Sequence, residues 1–129
     1  MVKILVIDDE PVILDYLESC IADMGLEVSG AVLTSAAALE SIAQNKPDLA
    51  LVDAQLGHET CEAVINECAS LGISVIISTG MPDVPACCVG LPVLHKPYSA
   101  DVLSEAILDS MALQTEFSRT AEGIGTPGE

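Results

Sequence analysis

Short apolar segments alternate with segments of helical period along residues 3–112 of the chain. The apolar segments have the length of buried strands, roughly four to eight residues. They are KILVID (3–8), LEVSGAV (26–32), DLALVD (48–53), ISVIIS (73–78) and LPVLH (91–95). Apolar residues recur every three or four positions in 11–24, 34–46, 59–71 and 100–112, which predicts helices. Strands that alternate with helices predict an α/β fold with a five-stranded parallel sheet and helices on both faces.

The segment between Thr79 and Lys96 is short for a helix followed by a strand. It runs over residues 80–95 and contains Pro82, Pro85 and Pro92. Proline is tolerated in the first turn of a helix but not beyond it. We therefore expect the fourth helix of this fold to be short or absent.

The last part of the chain differs in composition from the rest. From Leu113 onward there are few large apolar residues, and the sequence ends in GIGTPGE. We expect one domain over residues 1–112, followed by a flexible tail over 113–129, with no second domain.

Composition excludes several classes of function. The chain has 129 residues, 50% of them hydrophobic, and a formal charge of -16 with four Lys and Arg together. Such a charge repels phosphate backbones and anionic lipid, so nucleic acid and membranes are not expected partners. No apolar run approaches the roughly 20 residues of a spanning helix, and no signal peptide is evident, so we expect a cytoplasmic protein.

The cysteines show no pattern of a disulfide framework or a zinc knuckle. They are Cys20, Cys61, Cys68, Cys87 and Cys88, an odd number without a Cys-x-x-Cys pair. We expect reduced thiols that pack as small apolar side chains.

Polar and charged residues follow the predicted strands at one end of the sheet. Asp8 and Asp9 follow the first strand, Asp53 ends the third, Thr79 follows the fourth and Lys96 follows the fifth. Ligands of doubly wound sheets bind at this edge. Two carboxylates 4 Å apart would repel by roughly 4 kcal/mol at an effective dielectric near 20, so folding alone does not favour the arrangement. A Mg²⁺ ion would relieve the repulsion, and Lys96 could hold a phosphoryl oxygen.

Four motifs together resemble the receiver domain of two-component response regulators, which has the flavodoxin-like fold of the chemotaxis response regulator. They are VIDDE at the first strand end, LALVDAQLG around Asp53, VIISTG with Thr79, and LHKPY with Lys96 and Pro97. The resemblance covers about residues 3–111 and implies the strand order 2-1-3-4-5. Where many receivers carry a switching aromatic residue, this chain has Val93.

The resemblance implies a role for each matching residue. Asp53 would be the phosphoacceptor, and Lys96 would pair with a phosphoryl oxygen. Asp8, Asp9, Asp53 and the main-chain carbonyl of Gln55 would bind Mg²⁺. Thr79 would move toward the attached phosphoryl group.

The Lys96–Pro97 bond would be a cis peptide that aims the lysine into the cleft.

The function expected from these residues is that of a single-domain response regulator. A sensor histidine kinase or a histidine phosphotransfer protein would phosphorylate Asp53, and an unidentified downstream protein would bind the altered surface. Two alternatives stay open at this point. The chain could be a phosphorelay intermediate or phosphate sink, or a Mg²⁺-dependent phosphohydrolase with an aspartate nucleophile, a true enzyme rather than a switch with slow self-dephosphorylation.

Overall fold

The computed structural model describes the backbone of residues 2–125 and the side chains of residues 2–112. The strands in the described part of the chain are Lys3–Ile7 (β1), Glu27–Val32 (β2), Leu49–Asp53 (β3), Gln55–Leu56 (β4), Glu59–Thr60 (β5), Ser74–Thr79 (β6) and Val93–His95 (β7). The α-helices described are Pro11–Asp23 (α1), Ser35–Gln44 (α2), Glu62–Leu71 (α3) and Ala100–Gly125 (α4). A 3₁₀ helix spans Ala86–Cys88.

Five parallel strands form the main sheet in the order β2-β1-β3-β6-β7. This is the predicted order 2-1-3-4-5 when the strands of the main sheet alone are numbered, so the flavodoxin-like prediction is confirmed. The predicted short fourth helix is also confirmed, since a three-residue 3₁₀ helix lies between β6 and β7.

The side chains of β1 show how the sheet builds two cores. Ile4 and Val6 point to a cluster with residues of α1 and α4, such as Leu17 and Ile107. Because side chains alternate along a strand, Leu5 and Ile7 point to the opposite cluster, against α2 and α3. Helices on both faces of the sheet follow from this alternation.

A bulge shapes the pairing of β1 with β2. Ile4 pairs with Val28 and Leu5 with Gly30, so one extra residue lies on β2. The strand passes close to α2 there, because a Cβ atom at Gly30 would lie 2.6 Å from Ser41 Oγ. Glycine at this position therefore permits the close approach of strand and helix.

The third helix begins later than predicted. Residues 59–60 were expected to belong to it, but they pair in antiparallel register with Gln55–Leu56. Gly57 has a φ of +63°, the left-handed conformation that a tight turn between such strands needs. The β3–α3 connection is therefore a small hairpin, and α3 starts at Glu62.

The last helix ends later than predicted. We expected it to end at 112, but the backbone is helical over Ala100–Gly125. The residues from 113 to 122 include neither glycine nor proline, so a lack of large apolar residues did not prevent helix formation. Residues 113–125 of the predicted tail therefore lie in this helix, and residues 126–129 lie outside the described residues. Whether the domain ends at 112 stays a prediction.

Hydrogen bonds from side chains mark the starts of two helices. Thr34 Oγ1 accepts a hydrogen bond from the backbone N–H of Ala37 at 3.1 Å, at the start of α2. Ser99 Oγ accepts a hydrogen bond from the backbone N–H of Val102 at 3.2 Å, which agrees with the cap predicted for α4.

Among the described helices, none is long and apolar enough to cross a membrane.

Candidate functional site

The carboxyl ends of the central strands form a cleft of about 370 Å³. Its lining residues are Asp9, Glu10, Asp53, Gln55, Gly57, Thr79, Gly80, Met81 and Lys96. Parallel strands place all of their carboxyl ends at one edge of the sheet, which is why residues distant in sequence meet here. The edge predicted from the sequence is thus a cleft in the structure.

Lys96 connects two of the predicted aspartates. Its Nζ donates hydrogen bonds to Asp8 Oδ2 at 2.9 Å and to Asp53 Oδ2 at 3.1 Å. Burial lowers the pKa of Lys96, but the hydrogen bonds to the two carboxylates outweigh that effect, and its pKa lies above the ordinary value. The lysine is therefore a fixed positive charge between two negative ones.

Asp53 lies at the floor of the cleft, at the end of β3, and is 7% exposed. Its Oδ1 accepts a hydrogen bond from the backbone N–H of Gln55 at 3.0 Å, while Oδ2 contacts Lys96. Burial raises the pKa of Asp53, and the hydrogen bonds from Gln55 and Lys96 offset only part of that rise. The carboxylate is thus poorly solvated, which suits a nucleophile.

Three carboxylates cluster beside the cleft. One oxygen from each of Asp8, Asp9 and Glu10 lies within 4.8 Å of the other two. Asp8 is buried and its Oδ1 accepts a hydrogen bond from the N–H of Glu10 at 2.9 Å, while Asp9 and Glu10 are exposed. Asp53 is joined to Asp8 through the ammonium group of Lys96 instead.

Carboxylate oxygens are the donors that Mg²⁺ prefers, and it retains several of its waters when bound. The exposure of Asp9 and Glu10 leaves room for those waters, so the cluster fits a Mg²⁺ ion. Glu10 is not one of the predicted metal ligands, but its carboxylate adjoins those of Asp8 and Asp9. The signal that could have identified it is its position directly after the two aspartates, in VIDDE.

The hairpin that follows β3 contacts the acidic cluster. The backbone N–H of Gly57 donates a hydrogen bond to Asp9 Oδ2 at 3.0 Å. Gln55, whose main-chain carbonyl is a predicted metal ligand, belongs to the same hairpin and lines the cleft. The contact between Gly57 and Asp9 could not be predicted from the sequence, because two-residue strands show no detectable period.

Thr79 ends β6 at the cleft and is buried. Its Oγ1 accepts a hydrogen bond from the backbone N–H of Met81 at 3.1 Å. The neighbouring Ser78 Oγ lies 3.4 Å from the hydroxyl of Tyr98, a contact that sequence reasoning missed. The end of β6 is thus bonded both to the loop that follows it and to the segment after Lys96.

The Lys96–Pro97 peptide bond is cis in the structure, as the resemblance implies.

Val93, at the position of the switching aromatic residue, is half-buried and packs against the core on the α3 side of the sheet. Lys96, Pro97 and Tyr98 line a separate cavity of about 170 Å³, together with Ile13 and Tyr16. Position 93 therefore carries no aromatic side chain that could rotate between the core and the solvent.

Several proteins of known structure have the same fold as this chain. The chain is 27% identical to the anti-anti-sigma factor PhyR from Bartonella quintana, with a TM-score of 0.81 over 92% of this chain and 51% of that one. It is 26% identical to the response regulator PhyR from Brucella abortus, with a TM-score of 0.80 over 96% of this chain and 53% of that one. The chain thus spans about half the length of these PhyR proteins.

A shorter protein is matched over nearly its whole length. The solution structure of SdrG from Sphingomonas melonis Fr1 is 29% identical, with a TM-score of 0.76 over 86% of this chain and 97% of that one. A search of curated proteins by sequence found no match.

The family model of the response regulator receiver domain matches residues 4–108. This segment contains the main sheet except Lys3, together with the cleft and the residues of the four motifs. The chain therefore belongs to the response regulator receiver domain family.

Proposed function

We propose that this receiver domain accepts a phosphoryl group on Asp53 and thereby changes a surface that binds a downstream protein. The observation that carries the proposal is the placement of Lys96 Nζ within 3.1 Å of Asp53 Oδ2 and 2.9 Å of Asp8 Oδ2. A lysine in that position holds the carboxylate in one orientation and can contact a phosphoryl oxygen. The phosphoryl donor would be the phosphohistidine of a sensor kinase or of a phosphotransfer protein.

The transfer needs one bond made and one broken. An oxygen of Asp53 attacks the phosphorus atom, and the bond from phosphorus to the imidazole nitrogen of the donor breaks. The nitrogen leaves with the electron pair and takes up a proton. Asp53 loses its carboxylate charge as an acyl phosphate, so Lys96 keeps Asp8 as one partner and gains a phosphoryl oxygen as the other.

Asp8, Asp9 and Glu10 would hold Mg²⁺. Asp53 and the main-chain carbonyl of Gln55 would complete the set of protein ligands. When bound, the ion neutralises negative charge on the phosphoryl oxygens. The cleft itself shields the carboxylate of Asp53 from water, and the hydrogen bond from the backbone N–H of Gln55 fixes the orientation of that carboxylate.

The readout would begin at Thr79. A phosphoryl group on Asp53 offers its hydroxyl a charged acceptor, and the hydrogen bond from Met81 would then be lost. Met81 is 50% exposed and Val89 is 77% exposed, so the loop after β6 already presents apolar surface. We propose that a partner protein binds this loop, over residues 81–90, together with α4.

A cytoplasmic location follows from this proposal, since its phosphoryl donors act there. The PhyR protein of Bartonella quintana is an anti-anti-sigma factor, and that of Brucella abortus is a response regulator. Because the match covers about half of each PhyR chain, the function we propose is that of the receiver alone: acceptance of a phosphoryl group and binding of a downstream protein.

Mass analysis of the intact protein tests the proposal. Incubation with acetyl phosphate and Mg²⁺ should add one base-labile phosphoryl group to the chain, and none to Asp53→Asn. Asp15→Asn is the matched control, because Asp15 is exposed on α1 and outside the cleft. Full labelling of Asp53→Asn would assign the nucleophile to another residue. Multiple turnover of a small phosphoester by the unaltered chain would favour the phosphohydrolase instead.

A further inference from the structure

Three thiols meet in the interior on the α3 side of the sheet, away from the cleft. Cys61 Sγ lies 3.6 Å from Cys88 Sγ, and Cys87 Sγ lies 4.0 Å from Cys88 Sγ. All three sulfur atoms lie within 4.8 Å of one another. Positions 61 and 88 are distant in sequence, so the fold alone creates this cluster.

The cluster joins two elements of the fold. Cys61 is the residue before α3, and Cys87 and Cys88 belong to the 3₁₀ helix between β6 and β7. Cys61 and Cys88 are 0% and 1% exposed, whereas Cys87 is half-buried. Two of the three thiols are thus fixed in the core, and the third lies where a metal ion could enter from solvent.

The sulfur spacing matches that of a tetrahedral zinc site. A Zn–S bond is about 2.3 Å, which places two thiolates of a tetrahedron about 3.8 Å apart. The observed separations of 3.6 Å and 4.0 Å lie on either side of that value. Zinc sites with three protein ligands leave the fourth position to water, and the exposed side of Cys87 offers such a position.

We propose that Cys61, Cys87 and Cys88 bind a Zn²⁺ ion. The three thiols release three protons, and the ion gains three thiolate ligands, so the complex carries one negative charge. Because the ion displaces the thiol protons, zinc affinity should fall as the pH is lowered.

The ion would connect the start of α3 to the 3₁₀ helix inside the 81–90 loop. That loop follows Thr79, so bound zinc would restrict the same segment that we expect to respond to phosphorylation. The zinc site shares no residue with the acidic cluster. The result of a zinc-binding experiment therefore does not depend on whether Asp53 accepts a phosphoryl group.

Cadmium is the spectroscopic probe, because a sulfur-to-cadmium charge-transfer band arises from thiolate ligands and not from carboxylates. The reduced full chain, in millimolar Mg²⁺ to saturate the acidic cluster, is titrated with Cd²⁺ alone and after preloading with Zn²⁺. We expect one Cd²⁺ per chain and a thiolate band, and the preloaded chain should need a higher Cd²⁺ concentration to reach the same band, because Cd²⁺ must first displace the bound Zn²⁺. Native mass analysis should show one Zn²⁺ per chain.

Variants separate the cluster from the other thiols. Cys87→Ser, at a half-buried position, should fold and lose most of the band, and Cys61→Ser should lose it as well. Cys20→Ser and Cys68→Ser are matched controls that should keep it, because neither residue belongs to the cluster. Hydrogen exchange over residues 86–88 should slow when Zn²⁺ binds.

Two results would overturn the proposal. One is a thiolate band that is absent, or equally reduced in Cys20→Ser and in Cys87→Ser. The other is a Cys61–Cys88 disulfide that forms under mild oxidation to the same extent whether or not Zn²⁺ is present. Since Cys87→Ser leaves both buried thiols in place, its result does not depend on the tolerance of the core to substitution.

Discussion

Thr79 Oγ1 accepts a hydrogen bond from the backbone N–H of Met81, at 3.1 Å. The hydroxyl that is expected to turn toward a phosphoryl group is thus already bonded to the first part of the 81–90 loop. We expect rotation of the hydroxyl toward Asp53 to weaken this bond, because the oxygen would move away from the N–H of Met81. The loop is therefore connected to the cleft without an aromatic switch.

Thr79→Ala should accelerate hydrogen exchange of the Met81 amide in the free protein, since it removes the acceptor. A lost hydrogen bond of this kind corresponds to about 1 kcal/mol, or roughly a fivefold faster exchange. Thr79→Ser keeps the oxygen and is the matched control. Beryllofluoride with Mg²⁺ should accelerate the same amide in the unaltered chain but not in Thr79→Ala. Equal exchange of Met81 in all three proteins would contradict the link.

Asp53→Asn should raise the melting temperature at pH 7, although it removes a partner of Lys96. Burial raises the pKa of Asp53 above its ordinary value, so folding disfavours the ionised carboxylate. This cost is absent below the ordinary pKa of an aspartate, increases as the pH rises through the folded pKa, and is complete above it. The stabilisation by Asp53→Asn should accordingly shrink as the pH is lowered toward 4.

Thermal melts across that pH range provide the measurement. Asp48→Asn is a suitable control, because Asp48 lies just before the other end of β3, is exposed, and accepts a hydrogen bond from the backbone N–H of Lys3. It should show no such gain. If Asp53→Asn destabilises the fold at pH 7, the ion pair with Lys96 outweighs the cost of burial.

Lys96→Ala should destabilise the chain by about 3 kcal/mol at pH 7 in the absence of Mg²⁺, because two mostly buried carboxylates lose their common counter-charge. The pKa of Lys96 lies above its ordinary value, so its contribution is complete at neutral pH and is lost only as the pH rises through the folded pKa. Denaturant unfolding measures the difference. Lys46→Ala is the control at an exposed lysine and should cost less than about 0.5 kcal/mol.

Magnesium should stabilise the chain, because it relieves repulsion among Asp8, Asp9 and Glu10 in the folded state only. At ten times the dissociation constant the gain is about 1.4 kcal/mol. Asp9→Ala should abolish the Mg²⁺-dependent rise in melting temperature, and Glu10→Gln should reduce it. Asp15→Asn, on the exposed side of α1, should leave it unchanged. A rise that Glu10→Gln does not alter would remove this residue from the site.

The sheet and most of the cleft could be predicted from the sequence because both depend on local patterns. Buried strands are short apolar runs, and in a parallel sheet their carboxyl ends share an edge, so Asp53, Thr79 and Lys96 had to lie near one another. The cap at Ser99 follows from the preference for hydroxyl residues before a helix. These features need no knowledge of distant contacts.

The missed features have no such local signal. The hairpin over residues 55–60 is polar and too short to show a period, and its formation moved the start of α3. The helical backbone beyond residue 112 was missed because a lack of apolar residues argues against packing but not against helix propensity. The meeting of Cys61 with Cys88 depends on how the 3₁₀ helix packs on α3, which spacing along the chain does not encode.

The hydrogen bond from Gly57 to Asp9 has a practical consequence. We expect a cation that draws Asp9 toward itself to weaken or redirect this bond, so the tip of the hairpin would respond to ion binding before any phosphoryl transfer. The neighbouring His58 is exposed, and the chain contains no tryptophan. His58→Trp would thus give the molecule a single indole fluorophore beside the ion, and its emission would time metal entry separately from the movement of Thr79.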